Sequence, residues 1–321
     1  MSPMTHTLGR LVVPAGALLL LSTGLTGCGL LDGSSRLEQA LEYLPAGTTS
    51  VTFVDRAKAG EDFGTALTVW DRAMDGAAFG DDDIEWEATG TGDDGLARVW
   101  KMADDLDFDA VAEDLLDAGY ERSGPDDRPV FHADLDAADA TGLVGGRYPS
   151  QLLDIALVAD ESVIVTGGSV EEAAKATTDD EDSLADAGAF SDLLDRAEDQ
   201  DDLAYAALSV QPMCAANTRV SPAQAEQLYG DLGTPAALAL FVRPDEPLRA
   251  ERVLDDADAA EADAKALDEL LAASAAASGP AVDFDITRDD DVVTAQAPWA
   301  DRRQVVAAWS RGEGPFACAA G

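Results

Sequence analysis

Apart from carboxylates, few side chains in this sequence could do chemistry. There are two histidines, three cysteines, and 63 Asp and Glu against 21 Lys and Arg, for a formal charge of −42 at pH 7. His132, within Val130-Phe131-His132-Ala133, is the only histidine beyond residue 6. One imidazole cannot build a multi-histidine zinc site, and as a general base it would need a nucleophile beside it. It reads as a surface or edge-strand residue. Acidic clusters at 81–83, 104–109, 179–182 and 289–291 invite a calcium reading. Asp105, Asp107 and Asp109 alternate as in an EF-hand loop, but Ala110 stands where that loop needs glycine and Leu116 where it needs a bidentate glutamate. Helix starts, hairpin turns and solvated loops absorb these acids without a metal. Gly167-Gly168-Ser169 lies between a strand-like and a helix-like segment, where helix N–H groups could meet a phosphate. Glu171 and Glu172 would repel an anion there, and Ser169 with Glu172 spells a capping box instead. No cofactor-binding motif, metal site or catalytic residue is therefore expected.

The cysteines are more informative. Residues 1–10 carry Arg10 and no acid, residues 11–21 read LVVPAGALLLL, and small and polar residues lead to Leu25-Thr26-Gly27-Cys28. This is the order of a secretory signal. The apolar run is well short of the roughly 20 residues that span hydrocarbon, and Pro14 interrupts it. Leu25-Thr26-Gly27-Cys28 resembles the lipobox of bacterial lipoproteins. That resemblance implies a diacylglyceryl group on Cys28, cleavage just before it, and a stable anchor from two acyl chains such as palmitate. The expected organisation is a signal peptide at 1–27 and a short tether at 28–35, with the protein on the extracytoplasmic face of the cell membrane. From Gly29 to Ser35 the tether reaches at most about 25 Å. The bilayer, met through Cys28, is an expected partner, and the sequence names no protein or ligand partner.

Export also bears on Cys214 and Cys318. Two remaining cysteines in an oxidising compartment are expected to form one disulfide, worth roughly 4 kcal/mol in the chain-entropy model for so long a loop. Loss of residues 1–27 removes Arg10 alone among the Lys and Arg and no acid, leaving 294 residues at a formal −43. Such a charge excludes nucleic acid as a partner, because phosphate contacts need clustered Lys and Arg. It also repels anionic headgroups, so attachment rests on the acyl chains. Abundant Ala, Asp and Arg with little Lys point to a high-GC, actinobacterial host, with salt adaptation the competing explanation.

These residues must be held by local elements. Ser35-Arg36-Leu37-Glu38 is a capping box opening a helix with Leu37, Leu41 and Leu44 on one side. Phe63, Leu67, Trp70 and Met74 have helical spacing over 61–75, and a Gly/Asp-rich interruption at 76–83 and 89–95 flanks Ile84-Glu85-Trp86. Residues 108–118 form the clearest helix, capped by Asp107 and ended by Gly119. From Leu152 a β-hairpin followed by a helix recurs: 152–167 with 170–177, 282–297 with 300–310, and 236–253 with 256–277 as a possible third copy. Hairpin-plus-helix units predict an α+β protein with mostly antiparallel sheets and helices packed on one face. Polar residues at 198–202 place a boundary between an N-terminal α+β module, 36–200, and a C-terminal one, 201–321. Segments 44–55 ("LPAGTTSVTFVD") and 156–176 ("ALVADESVIVTGGSVEEAAKA") resemble actinobacterial exported proteins of unknown function, which implies no activity. Most of the tryptophans, Trp70, Trp86, Trp100, Trp299 and Trp309, fall beside other apolar residues in periodic segments, so core packing is expected ahead of a carbohydrate platform. The composite expectation is a membrane-anchored, non-enzymatic binding or interaction protein. Its alternatives are a carrier of apolar ligands, which needs an apolar cavity, and a hydrolase of envelope polymers, which needs converging carboxylates.

Overall fold

The computed structural model describes residues 35–93, 95–178, 180–197, 200–210, 229–278, 282–312, 314 and 316. Cys28, Cys214 and Cys318 lie outside them, and with them the lipidation and disulfide expectations. Ser35 accepts from Glu38 N, and the Glu38 carboxylate takes Ser35 N–H in return, so the capping box opens α1 (Arg36–Glu42). Beyond Pro45, β1 (Thr48–Asp55) enters the sheet, and Asp55 then caps the short α2 (Arg56–Ala59). The hairpin β2 (Ile84–Gly92) and β3 (Gly95–Met102) leads to α3 (Phe108–Asp117), whose first amides bond to Asp107 as expected. Short strands β4 (Glu121–Ser123), β5 (Val130–His132), β6 (Leu143–Val144) and β7 (Tyr148–Pro149) follow. Next come the hairpin β8 (Asp154–Val158) and β9 (Val163–Gly167) and the helices α4 (Val170–Ala176), α5 (Leu184–Ala187) and α6 (Ser191–Arg196). The remainder comprises β10 (Tyr205–Ser209), β11 (Ala237–Val242), β12 (Leu248–Val253), α7 (Ala257–Ser278), β13 (Asp285–Asp289), β14 (Val292–Ala297) and α8 (Arg302–Ser310).

Twelve of these strands make one antiparallel sheet in the order β13-β14-β12-β11-β10-β1-β2-β3-β9-β8-β5-β4, so the class is α+β. The boundary at 198–202 falls at the join between the two halves of this sheet. There β1 pairs with β10 through Ser50↔Ser209 to Val54↔Tyr205, and 36–200 and 201–321 belong to one body. The halves repeat one another. Each contains three strands, a helix and a hairpin in the same order, β1, β2, β3, α3 and β8–β9 in the first and β10, β11, β12, α7 and β13–β14 in the second, and the first inserts α2 after β1 and β4 to β7 after α3. In each, the later strand of the hairpin lies beside the third strand, β9 on β3 and β14 on β12. The spacing repeats as well, since Ile84 to Ala237 and Gly95 to Leu248, the starts of equivalent strands, are both 153 residues apart. The hairpin at 237–253 therefore matches β2–β3, whereas 285–297 matches β8–β9.

Strand alternation sends successive side chains to opposite faces, and helices cover both. Val51, Phe53, Trp86, Val99, Val165 and Phe241 meet α1, α4, α5 and α6 on one face. On the other face, Trp100, Met102, Ile155 and Ile164 meet α3, while Leu240, Ala250 and Val293 meet α7 and α8. The single helical face inferred from the hairpin units is thus divided between two. A sheet whose strands are apolar on both sides needs cover on both.

β2 runs through part of the segment read as a Gly/Asp-rich interruption. Two of its glycines serve close approach: a Cβ on Gly92 would stand 2.3 Å from Gly47 O, and one on Gly90 would stand 3.0 Å from Leu44 Cδ2. The helix expected over 61–75 is replaced by successive turns. Thr65 Oγ1 takes the Leu67 N–H and Glu87 takes the Ala66 N–H, diverting donors that a helix would have used. Ser169 precedes α4, yet its side chain makes no capping bond, and its amide bonds to Leu96 O on β3.

Candidate functional site

A concavity of about 530 Å³ lies along the turns at 71–83. Asp71, Asp75, Asp81, Asp82 and Asp83 line it with a single cation, Arg72, and Met74 and Phe79 give it an apolar floor. Its inner wall is fixed by Asp81, which accepts from Arg56 at 2.6 Å, Thr68 Oγ1 at 3.0 Å and Thr65 Oγ1. Asp83 closes the turn by accepting from Gly80 N at 2.8 Å. Asp82 is exposed. The cluster at 81–83 expected to serve a turn therefore does so, and it also gives the concavity its charge.

Behind this wall, Glu87 points from β2 to the face it shares with Trp100. It accepts from Trp100 Nε1 at 2.6 Å and Ala66 N at 2.8 Å, with Arg98 3.8 Å away. Burial pushes its pKa above the ordinary glutamate value despite the pull of Arg98 and of these bonds, and the charge of Asp81 adds to the rise. Glu87 was not singled out in the sequence, because an acid in a 63-acid chain carries no mark of burial. A strand position flanked by Trp86 and Ala88 was the only available signal. Glu87 does not line the concavity, and its bonds tie the 65–68 turns to the β2–β3 hairpin.

His132 is exposed on β5, as read from the sequence. Its Nδ1 lies 2.6 Å from Asp154 on β8 and its Nε2 3.7 Å from Asp134, and Glu121 on β4 is its register partner on the outer side. The hydrogen bond to Asp154 and the charges of Asp154 and Asp134 raise its pKa. This arrangement binds a proton more firmly and secures the edge of the sheet.

A second concavity, about 110 Å³, is apolar and lies between α8 and the lead into β13. Val282, Phe284, Val305, Ala308, Trp309 and Phe316 line it, with Phe284 and Phe316 in ring contact at 5.0 Å. Pockets for drug-sized ligands run from about 300 Å³ upward, so this one would take only a small apolar group. Of the tryptophans, Trp86, Trp100 and Trp309 are in the core, Trp86 stacked on Tyr43. Trp70 and Trp299 are partly buried, with Arg302 over the Trp299 ring.

Among the described residues, no three His, Cys, Asp or Glu side chains are grouped to hold a metal ion. No described helix is long and apolar enough to cross a membrane. No family model matches the chain. No curated protein matches it either. Crystal forms I and III of TP0453 superpose on it with TM-scores of 0.46 and 0.48, each at 9% identity and covering 84% of this chain and 97% of TP0453.

Proposed function

We propose that this protein is a lipid-anchored lipoprotein on the extracytoplasmic face of the cell membrane, with a folded domain that acts by binding and not by catalysis. The observation that carries the reading is Leu25-Thr26-Gly27-Cys28, placed directly after a short apolar run. Cys28 carries the acyl chains, and the bilayer is the first partner. The tether allows the domain no more than about 25 Å from the lipidated residue. Support for a binding role comes from the titratable groups of the domain: Asp81, Glu87 and His132 are each engaged in ties between elements. Intact-mass analysis of protein from native membranes should show an N-terminus at Cys28 bearing a diacylglyceryl group, and Cys28→Ser should release the protein from the membrane. An unmodified mature terminus would refute the anchor.

The apolar pocket beside α8 favours one second reading, a carrier of apolar ligands. At about 110 Å³ it accommodates part of such a ligand only. Saturable displacement of a fluorescent fatty acid, lost in Ala308→Trp, would support the carrier over the interaction protein.

A further inference from the structure

We propose that the outer edge of β13 is a docking site for an extended, basic segment of a partner protein. This inference specifies the binding role proposed above. The two halves of the sheet match strand for strand up to their outer hairpins. In the first half, β8 is paired on its outer side by β5, through Val130↔Ala156, Phe131↔Ile155 and His132↔Asp154. β13 holds the equivalent place in the second half, and no strand of the described residues pairs with its outer side. Asp285, Thr287, Arg288 and Asp289 are exposed there, and Ile286 is half-buried. An unpaired edge presents a row of backbone N–H and C=O groups on which another strand can form.

The side chains define the occupant. Asp285, Thr287 and Asp289 share one face of the strand. Ile286, paired with the buried Ala295, and Arg288, 3.7 Å from Glu261 of α7, share the other. A second copy of this chain fits poorly. An antiparallel β13–β13 pair centred on Thr287 would set Asp285 opposite Asp289 twice, and would join two bodies each formally −43. An extended segment alternating Lys or Arg with apolar residues instead places its cations beside Asp285 and Asp289 and its apolar residues beside Ile286. The acids that deter self-pairing thus select a basic strand.

The test uses the mature lipoprotein in detergent and a seven-residue peptide alternating Lys and Val. Its controls are the same peptide N-methylated at alternate amides and an Asp-for-Lys version. The Lys-Val peptide should slow hydrogen exchange at 285–289. Both controls should bind about tenfold more weakly or less, as should the Lys-Val peptide to the double variant Asp285→Asn, Asp289→Asn. N-methylation keeps the charge and removes the strand bonds, so equal binding of the methylated peptide would show attraction to diffuse charge and overturn the proposal. Protection elsewhere than 285–289, or none, would do the same. An acylated Cys28 with an inert β13 edge would leave the anchored role standing and remove only this site.

Discussion

Asp263→Asn should be among the most damaging single changes in the second half of the sheet. Arg252 on β12 and Asp263 on α7 are 0% and 1% exposed, in a chain with roughly three acids per base. Arg252 Nε lies 2.8 Å from Asp263 Oδ2 and Nη2 lies 3.0 Å from Oδ1. The same guanidinium donates to Gly233 O at 2.7 Å, and Gly233 N donates to Asp263 Oδ1 at 2.8 Å. The pair therefore fastens α7 and the turn at 233 to the sheet at once. Neutralising Asp263 removes the carboxylate that faces the buried Arg252 guanidinium, which costs about 3–5 kcal/mol. At roughly 2 °C per kcal/mol, the low end for larger domains, Tm should fall by about 6–10 °C. Replacing both partners, as Arg252→Met with Asp263→Leu, removes the desolvated charges together and should recover most of the loss. Chemical denaturation of the three proteins at one pH and salt concentration measures this. A single-variant cost below about 1 kcal/mol, or a double variant as unstable as the single, would show that the pair is not held in a low-dielectric interior.

Salt should stabilise the domain: self-repulsion in a chain of formal charge −42 is screened over about 30 Å at 0.01 M and about 3 Å at 1 M, so Tm should rise over that range. Sodium and calcium at matched ionic strength should act alike, and a saturating effect of micromolar calcium, absent with magnesium, would reveal a specific site. For His132, the folded pKa is raised, so its stabilising contribution is full below the unfolded value of about 6.5 and is lost as pH rises through the folded pKa. The stability gap between wild type and His132→Gln should accordingly be larger at pH 6 than at pH 8.5; a gap independent of pH would contradict the ion pair with Asp154. Non-reducing digestion should yield Cys214 and Cys318 in one crosslinked peptide pair, and free alkylation of both thiols in fresh protein would refute that expectation.

The periodic elements were legible wherever local chemistry and packing agree. Ser35 and Glu38 bond to each other's backbone, Asp107 and the apolar spacing from Phe108 define α3, and Asp289-Asp290-Asp291 turns the last hairpin with Asp290 at φ 48°. The 61–75 segment has helical spacing too, but its first donors go to Thr65 and Glu87, and Glu87 is distant in sequence. The 81–83 cluster was legible but the concavity was not, because Asp81 is set apart from dozens of other acids only by Arg56, Thr65 and Thr68, which folding brings to it.

By itself, the sequence determined what depends on neighbours along the chain: the caps of α1 and α3, the hairpins at 154–167 and 285–297, and the overall charge. Each follows from a few consecutive residues acting on their own backbone. Only the tertiary structure decided that the two expected modules share one sheet through β1 and β10, that helices cover both faces, and that β8 gains an outer strand whereas β13 does not. Strand pairing is non-local, since backbone N–H and C=O groups are the same in every residue. Which edges meet is therefore set by the burial of whole faces, and no local pattern of residues records it.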